Sequence, residues 1–405
     1  MDAKPALLGG IPAFETPLPF ASPTREDGYG AAVLESMAGS LESGIFTDGP
    51  MVRRLEEGVA AEFGVEHCVA VSSATIGLML VLQALGIDGP VLIPSFTFSA
   101  TAHAARWNGL DILFADCDRR TWCLGVEHLR NAPKAIIGVH VSGVPCDVVA
   151  LQAAAADLGA RLIFDAAHGA GSLVEVDGRP TTLGGFGTAE VFSLTPTKVM
   201  SGAEGGLITT NDSALAEHLR VARNYGNPGD YDTLFPGLNA RLSEPHAALA
   251  LASLARLESR VKARNELADL YREGLAAVPG IGFQEPPPGS RSSMKDFTIT
   301  VDAASFGASR DAVNAALHAE GIATRLYYSP PVHQQTAYRD VESPPLPVTE
   351  WLGGAVITLP MWSHLPVEHA EQVVAALAQI QRFADDIEAA VASSTIPATD
   401  GSHLA

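Results

Sequence analysis

The stretch Val191-Phe192-Ser193-Leu194-Thr195-Pro196-Thr197-Lys198, followed by Ser201-Gly202-Ala203-Glu204-Gly205-Gly206-Leu207-Ile208-Thr209-Thr210, decides how the rest of the chain is read. Its two apolar runs, 190–194 and 206–210, read as buried strands, with a lysine and a Gly-rich turn between them. A lysine so placed has two readings. Taken out of water, its charged form is disfavoured, and the neutral amine becomes a nucleophile or a Schiff-base former. Otherwise it snorkels from a loop to water and is structural. The segment alone leaves both open.

The 405 residues suffice for one large or two medium domains, and a hydrophobic content of 47% is that of a soluble globular protein. A formal charge of -20 provides no broad basic field, so neither nucleic acid nor an anionic membrane is an expected partner. An anionic substrate must then meet a local cluster of cations. Cys68, Cys117, Cys123 and Cys146 form no C-x-x-C pair, no apolar leader precedes the first structured segment, and no run of about 18 apolar residues occurs. The expectation is a reduced, cytoplasmic protein without disulfides, membrane span or metal.

Residues 1–25 read as a Pro- and Gly-rich arm. From 26 to 250, strand and helix patterns alternate: strands near 67–71, 91–94, 112–115, 135–141 and 161–164, with helices after several of them. Such repetition predicts an α/β fold with a largely parallel sheet covered by helices on both faces, and ligands of such sheets bind beyond the carboxyl ends of the strands. Ser73, Thr75, Phe98, His140, Asp165, His168 and Lys198 all fall there. A long helix over 244–277, with Arg256, Arg260 and Arg264 on its polar side, reads as the link to a smaller α+β domain within 251–390. In that domain strands are expected at 297–301, 323–328 and 355–359, helices at 310–320 and 366–390, and a disordered tail at 391–405.

Two further stretches carry chemistry. Ser72-Ser73-Ala74-Thr75 opens a helix, where free N–H groups and hydroxyls suit a phosphate, although ordinary N-capping by Ser73 or Thr75 explains the same residues. Phe164-Asp165-Ala166-Ala167-His168 closes an apolar strand with a carboxylate, which needs a cationic or hydrogen-bonding partner to stay charged. A protonated pyridine nitrogen is such a partner; capping of the next turn is the structural reading.

Taken in order, these stretches resemble the DegT/DnrJ/EryC1/StrS family, the fold-type I sugar aminotransferases that depend on pyridoxal 5'-phosphate. The similarity runs over about 44–380 and includes Gly44-Ile45-Phe46-Thr47-Asp48-Gly49-Pro50, Pro94-Ser95-Phe96-Thr97-Phe98-Ser99-Ala100-Thr101, Val139-His140 through Gly143 to Asp147, Glu204-Gly205-Gly206, Arg223-Asn224-Tyr225-Gly226, Gly237-Leu238-Asn239-Ala240-Arg241-Leu242-Ser243-Glu244 and Tyr328 to His333. The resemblance implies a seven-stranded, mainly parallel sheet and a small C-terminal domain. It implies that Lys198 is the Schiff-base lysine and proton shuttle, that Asp165 binds the pyridine nitrogen, and that His168 lies near the phenolic oxygen. Phe98 would stack on the ring, while Ser73, Ala74, Thr75 and Ser193 would hold the phosphate. Asn239 would reach the phosphate of a partner subunit's cofactor, making a homodimer with shared active sites. Tyr328, His333, Arg241 and Thr47 would meet the substrate, and Arg53, Arg54, Arg223 and Arg325 are further cations for a diphosphate.

Where the family commonly has Gly, this chain has Ala74 and Ala203, which is tolerable if φ is negative. Lys198 sets the chain apart from relatives with His at that position. The implied reaction takes an amino group from glutamate to a nucleotide-linked keto-sugar, with C4 of a dTDP-4-keto-6-deoxyhexose as the expected acceptor. A keto-cyclitol of the scyllo-inosose type is the rival, on the likeness of Leu8-Gly9-Gly10-Ile11-Pro12. A regulatory protein that binds the cofactor without turnover is the reading from another class. A nicotinamide-binding fold is disfavoured because no G-x-G-x-x-G follows the first strand.

Overall fold

The computed structural model describes residues 4–22, 29–130 and 132–393. Seven strands form the large sheet: β1 (His67–Val71), β2 (Val91–Pro94), β3 (Ile112–Ala115), β4 (Ala135–Val139), β5 (Arg161–Asp165), and, after a small hairpin of β6 (Leu173–Val176) and β7 (Arg179–Thr182), β8 (Ala189–Ser193) and β9 (Gly206–Thr210). Their order is β1-β9-β8-β5-β4-β2-β3. The pairs from β8 to β3 are parallel, whereas β9 runs against both of its neighbours. The reversal follows from the connection: parallel neighbours need a long crossover, and the stretch from β8 to β9 is a loop with no helix. That loop carries Lys198.

Strands buried on both faces read as unbroken apolar runs, and here the two faces belong to separate cores. Leu92, Ile136, Leu162, Phe164, Phe192 and Leu207 point to one, and Val91, Ile93, Ile137, Ile163, Val191 and Ile208 to the other. The second unit is a three-stranded antiparallel sheet of β10 (Ile281–Phe283), β11 (Phe297–Val301) and β12 (Val356–Leu359). Its core takes Leu267, Tyr271 and Leu275 from the helix Leu257–Leu275, together with Phe14 and Leu18 of the N-terminal segment. The expected arm therefore packs on the small unit: Phe14 N–H donates to Glu320 O at 3.0 Å, and Leu18 N–H to Gly321 O at 2.8 Å. Residues 1–3 and 23–25 of that arm lie outside the described residues.

Several expectations need correction. The helix over 244–277 is two helices, Glu244–Leu254 and Leu257–Leu275, broken at Arg256, whose φ of -115° and ψ of 4° leave the helical region. Arg260 and Arg264 are not on a polar face but are 3% and 4% exposed. Each spends its guanidinium on carbonyls that no backbone ladder satisfies, Arg260 on Val199 O at 3.1 Å and Arg264 on Met294 O and Lys295 O at 3.0 and 2.9 Å. The stretch 323–328 is not a strand; it meets β12 at the single bridge Arg325↔Thr358, and Pro330 and Pro331 follow directly. The last helix divides into Val367–Arg382 and Ala384–Ser393, so 391–393 are helical, and the rest of the expected tail lies outside the described residues. The β6–β7 hairpin was not anticipated, although Asp177-Gly178, both with positive φ, is a strong two-residue hairpin turn.

One carboxylate fixes the entry to the large unit. Glu244, 1% exposed, accepts the N–H groups of Gly49, Met51 and Val52 at 2.9 to 3.0 Å, capping the helix Pro50–Phe63 from a distant part of the chain. Removing it leaves three buried donors without partners, so Glu244→Ala should cost about 2 kcal/mol or more. A thermal midpoint within a degree of wild type would contradict this role.

Candidate active site

The carboxyl ends of β1, β2, β4, β5 and β8 converge, and the start of β9 joins them because that strand is reversed. Gly206 is paired with Val71 on one side and Ser193 on the other. It lies so close to the helix Ala74–Ala84 that a Cβ there would come within 2.5 Å of Ala74 N. The backbone thus brings the helix start against Ser193. Ser73 is the N-cap, its side chain accepting Ile76 N–H at 3.2 Å, so the capping reading of Ser73 holds. The N–H groups of Ala74 and Thr75 are left over, since a helix cannot satisfy its own first donors. They and the Ser193 hydroxyl, which also meets Thr195 Oγ1 at 3.3 Å, are donors at the same end of the sheet, of the kind an anion requires.

Asp165 ends β5 and is 5% exposed. Its Oδ2 accepts from Thr101 Oγ1 at 2.7 Å and its Oδ1 from Ala167 N–H at 3.1 Å. Burial pushes the carboxyl up; the Thr101 hydroxyl, the Ala167 N–H, Lys198 and His140 pull it back without cancelling the rise. Beneath it, His140 accepts Cys146 N–H on Nδ1 at 3.0 Å and turns Nε2 to the buried Glu190, 3.5 Å away. Phe98 is the N-cap residue of the helix Ser99–Trp107, which carries Thr101, and its ring is 59% exposed, an apolar face at the rim of the site.

Lys198 is half-buried, on a loop pinned at several points. Gly202 N–H donates to Leu194 O at 2.8 Å, Ser201 N–H to Ser253 Oγ at 2.9 Å, and Arg260 holds Val199 O. Burial brings the Lys198 amine down to about 7, with Lys295 adding to the fall and Asp296 and Asp165 opposing it. His168 accepts Ser142 N–H on Nδ1 at 3.2 Å, which leaves its proton on Nε2. Its separation of 4.0 Å from Asp296 is thus not an ion pair, and burial, then Lys198 and Lys295, hold His168 well below its ordinary value.

The other expected residues divide into groups. Tyr328, 9% exposed, packs edge-on to Phe96 at 5.4 Å and feels the charges of Asp296 and Asp165, which places it in the wall of the site. His333 is turned to Ser95 Oγ at 2.7 Å and docks the small unit on the end of β2. Asn239, Arg241 and Thr47 lie on a neighbouring surface: Arg241 donates to Asn224 Oδ1 at 2.7 Å and Asn239 Oδ1 at 3.2 Å, and Thr47 bridges Ser243. Arg223 is no diphosphate ligand, because it is 5% exposed and committed to Asp48, Glu56 and Ala70 O. Ala74 stands in a helix, as the substitution requires, but Ala203 has φ of +66°, the left-handed region, so there the condition of negative φ fails.

Sequence reasoning gave no role to Thr101, which lies in a stretch it singled out, and passed over Lys295 and Asp296. The last two are charged residues directly before the fully buried strand β11, a position that is itself a signal of buried charge.

Pyridoxal phosphate fits what is present: donors for an anion, a buried carboxylate suited to a ring cation, and an amine made nucleophilic by desolvation. Comparison with known proteins agrees. A model of the DegT/DnrJ/EryC1/StrS aminotransferase family matches residues 29–378. Over 349 residues, 84% of this chain and 91% of the relative, the sequence is 36% identical to UDP-N-acetyl-3-dehydro-alpha-D-glucosamine 3-aminotransferase of Acidithiobacillus ferrooxidans. The structure matches DesI in the presence of its TDP-sugar product with a TM-score of 0.88, at 36% identity over 95% of this chain and 98% of that one. It matches S. venezuelae DesV in complex with a ketimine intermediate with a TM-score of 0.82, at 31% identity over 90% and 99% of the two chains.

The Thr101 hydroxyl is the strongest donor to the carboxylate here, and a hydrogen bond to a charged group is worth about 1.5–3 kcal/mol. Thr101→Val should therefore raise the Asp165 carboxyl further and loosen cofactor binding by about tenfold, with the loss growing as pH falls because the carboxylate form is the one that binds. Equilibrium binding of the cofactor against pH measures this; an affinity equal to wild type across the range would refute it.

Proposed function

Because this chain belongs to the DegT/DnrJ/EryC1/StrS aminotransferase family, we propose that it moves an amino group from glutamate to C4 of a dTDP-4-keto-6-deoxyhexose, through a site built on Lys198 and Asp165. The coarser statement does not depend on the sugar: the protein is a fold-type I, pyridoxal-phosphate-dependent sugar aminotransferase acting on nucleotide-linked sugars. The observation that carries the assignment of residues is the meeting of a desolvated lysine with a buried carboxylate beyond the strand ends.

Pyridoxal phosphate, when bound, supplies the electron sink that makes the proton on the amine-bearing carbon removable. The protein's part is binding, orientation and proton movement. The amides of Ala74 and Thr75 and the Ser193 hydroxyl would hold the phosphate. Asp165, whose carboxylate form Thr101 and Ala167 N–H favour, would hold the proton on the pyridine nitrogen. His168 has Nε2–H free of the Ser142 bond and would donate it to the phenolic oxygen, while Phe98 would cover a ring face. Lys198 would give up and return a proton between the donor and acceptor carbons, a task for an amine whose pKa lies near 7.

Asn239 would face a partner subunit's cofactor in a homodimer. In support, Phe46, Tyr225, Tyr231 and Leu234 are 51%, 49%, 96% and 61% exposed on the segments around it, an apolar surface that association would cover. Residues 26–250 and 251–390 would act as the cofactor and closing domains. No helix among the described residues is long and apolar enough to cross a membrane, and we place the protein in the cytoplasm. For the sugar, the match to DesI with its TDP-sugar product supports the dTDP reading, and the equal identity to a UDP-sugar enzyme makes a UDP-3-keto-sugar the second reading.

Lys198→Ala should abolish turnover and the visible band of lysine-bound cofactor, and Asp165→Ala should retain some cofactor but lose most activity; a fully active Lys198→Ala enzyme would sink the assignment. The acceptor is found by converting the protein to its aminated form with glutamate and adding a dTDP-4-keto-6-deoxyhexose, a UDP-3-keto-sugar or scyllo-inosose. Return of the aldehyde spectrum with the dTDP sugar is the expected result, and return with the cyclitol alone would overturn the nucleotide-sugar reading.

A further inference from the structure

The sequence contains five lysines, and the charge of one of them, Lys295, acts on another, Lys198. Lys4 and Lys134 are exposed and the Lys262 side chain is 76% exposed, as lysines ordinarily are. Lys295 is 4% exposed. Its Nζ lies 2.7 Å from Asp296 Oδ1 and 5.6 Å from the centre of the Tyr327 ring. The segment is clamped to the turn that holds His168: Lys295 N–H donates to Ser142 O at 3.1 Å, Ser293 Oγ to His168 O at 2.6 Å, and Arg264 to Lys295 O. A buried ion pair is no efficient source of stability, since apolar residues of the same volume serve as well or better. Its presence beside a reactive amine therefore asks for another use.

Charge counting supplies one. The groups facing Lys198 are Asp165 and His168 from the end of β5, Lys295 and Asp296 from the start of β11, Arg260 and Arg264 from the helix Leu257–Leu275, and His364 after β12. His168 is uncharged, and the two arginines are bonded to backbone carbonyls. Two carboxylates would then hold the Lys198 amine protonated, which is the unreactive form. Lys295 engages one of them at hydrogen-bond distance and adds a like charge, which disfavours a second ammonium.

We propose that Lys295 is a positioning residue of this site: its ammonium ties up Asp296 and keeps the neighbouring Lys198 amine uncharged and nucleophilic. The proposal rests on the reading of Lys198 as the Schiff-base lysine. Lys295 does not react; it acts through Lys198.

With five lysines, the [ε-13C]lysine spectrum of the full chain, freed of cofactor, can be assigned and titrated residue by residue. In the wild type, Lys198 should titrate near pH 7. Lys295→Met should raise the Lys198 midpoint by about one unit or more, so that the uncharged fraction at neutral pH, and the rate of cofactor capture with it, falls about tenfold. Lys295→Arg, which keeps the charge, should leave the midpoint in place. A merely structural role would lower the melting temperature of both variants and leave both midpoints unmoved, and that result would overturn the proposal. If the Met variant does not fold, Asp296→Asn decides: removing the carboxylate that Lys295 engages should lower the Lys198 midpoint, and an unmoved midpoint refutes the proposal. Borohydride trapping of the wild-type holoenzyme separates this from the reading beneath it, because a cofactor label on another residue would refute the Schiff-base role of Lys198 whatever the midpoints are.

Discussion

A half-buried amine and a buried carboxylate at one end of the sheet, Lys198 and Asp165, act on each other's charge, and the elements around them are arranged about that pair. Burial alone pushes the Asp165 carboxyl up and brings the Lys198 amine down. Thr101 and Ala167 N–H restore part of the carboxylate's charge, while Lys295 works with burial on the amine. Under the proposed roles the same desolvation serves opposite needs: a carboxylate that would be ionic for a ring cation, and a lysine that would be uncharged to attack a carbonyl.

The pair could not be assembled by the large sheet alone. The sheet delivers Asp165 and Ser193 from parallel strand ends, and the reversed strand β9 lets the Lys198 loop double back across them. The small unit then completes the site. Arg260 and Ser253 pin the loop, Arg264 fixes the carbonyls of Met294 and Lys295, and His333 seats the 328–333 segment on Ser95. Asp116, accepting from Val348 N–H and from the N–H and hydroxyl of Thr349, secures another part of the same seam. A shift between the two units would therefore change the electrostatics of Lys198 as well as the shape of the cleft, since Lys295 and Asp296 belong to the smaller one.

The helix start at Ala74 shows how a structural and a functional reading coexist. Ser73 caps its helix, as its residue type predicts, and that cap leaves the next two amides pointing outward. Gly206 is the residue that permits this, because any side chain there would strike the helix start. At Ala203 the chain departs from the rule that favours glycine at positive φ, and there the left-handed residue costs about 1 kcal/mol.

Read alone, the sequence determined the alternation of strand and helix, the parallel sheet, Asp165 at a strand end, and Lys198 in the turn between two buried strands, because periodicity and turn residues act over short range and are written locally. It misjudged the 244–277 helix and the 323–328 strand, where the outcome depends on partners far along the chain. Arg260 and Arg264 show why: at helical spacing a guanidinium looks like a solvated face, and only a second unit packed over it makes it a buried donor. Lys295 and Asp296 are the same case with chemical consequences. Which charges face Lys198 is a matter of residues about a hundred positions apart meeting in space, and long-range packing alone decides that.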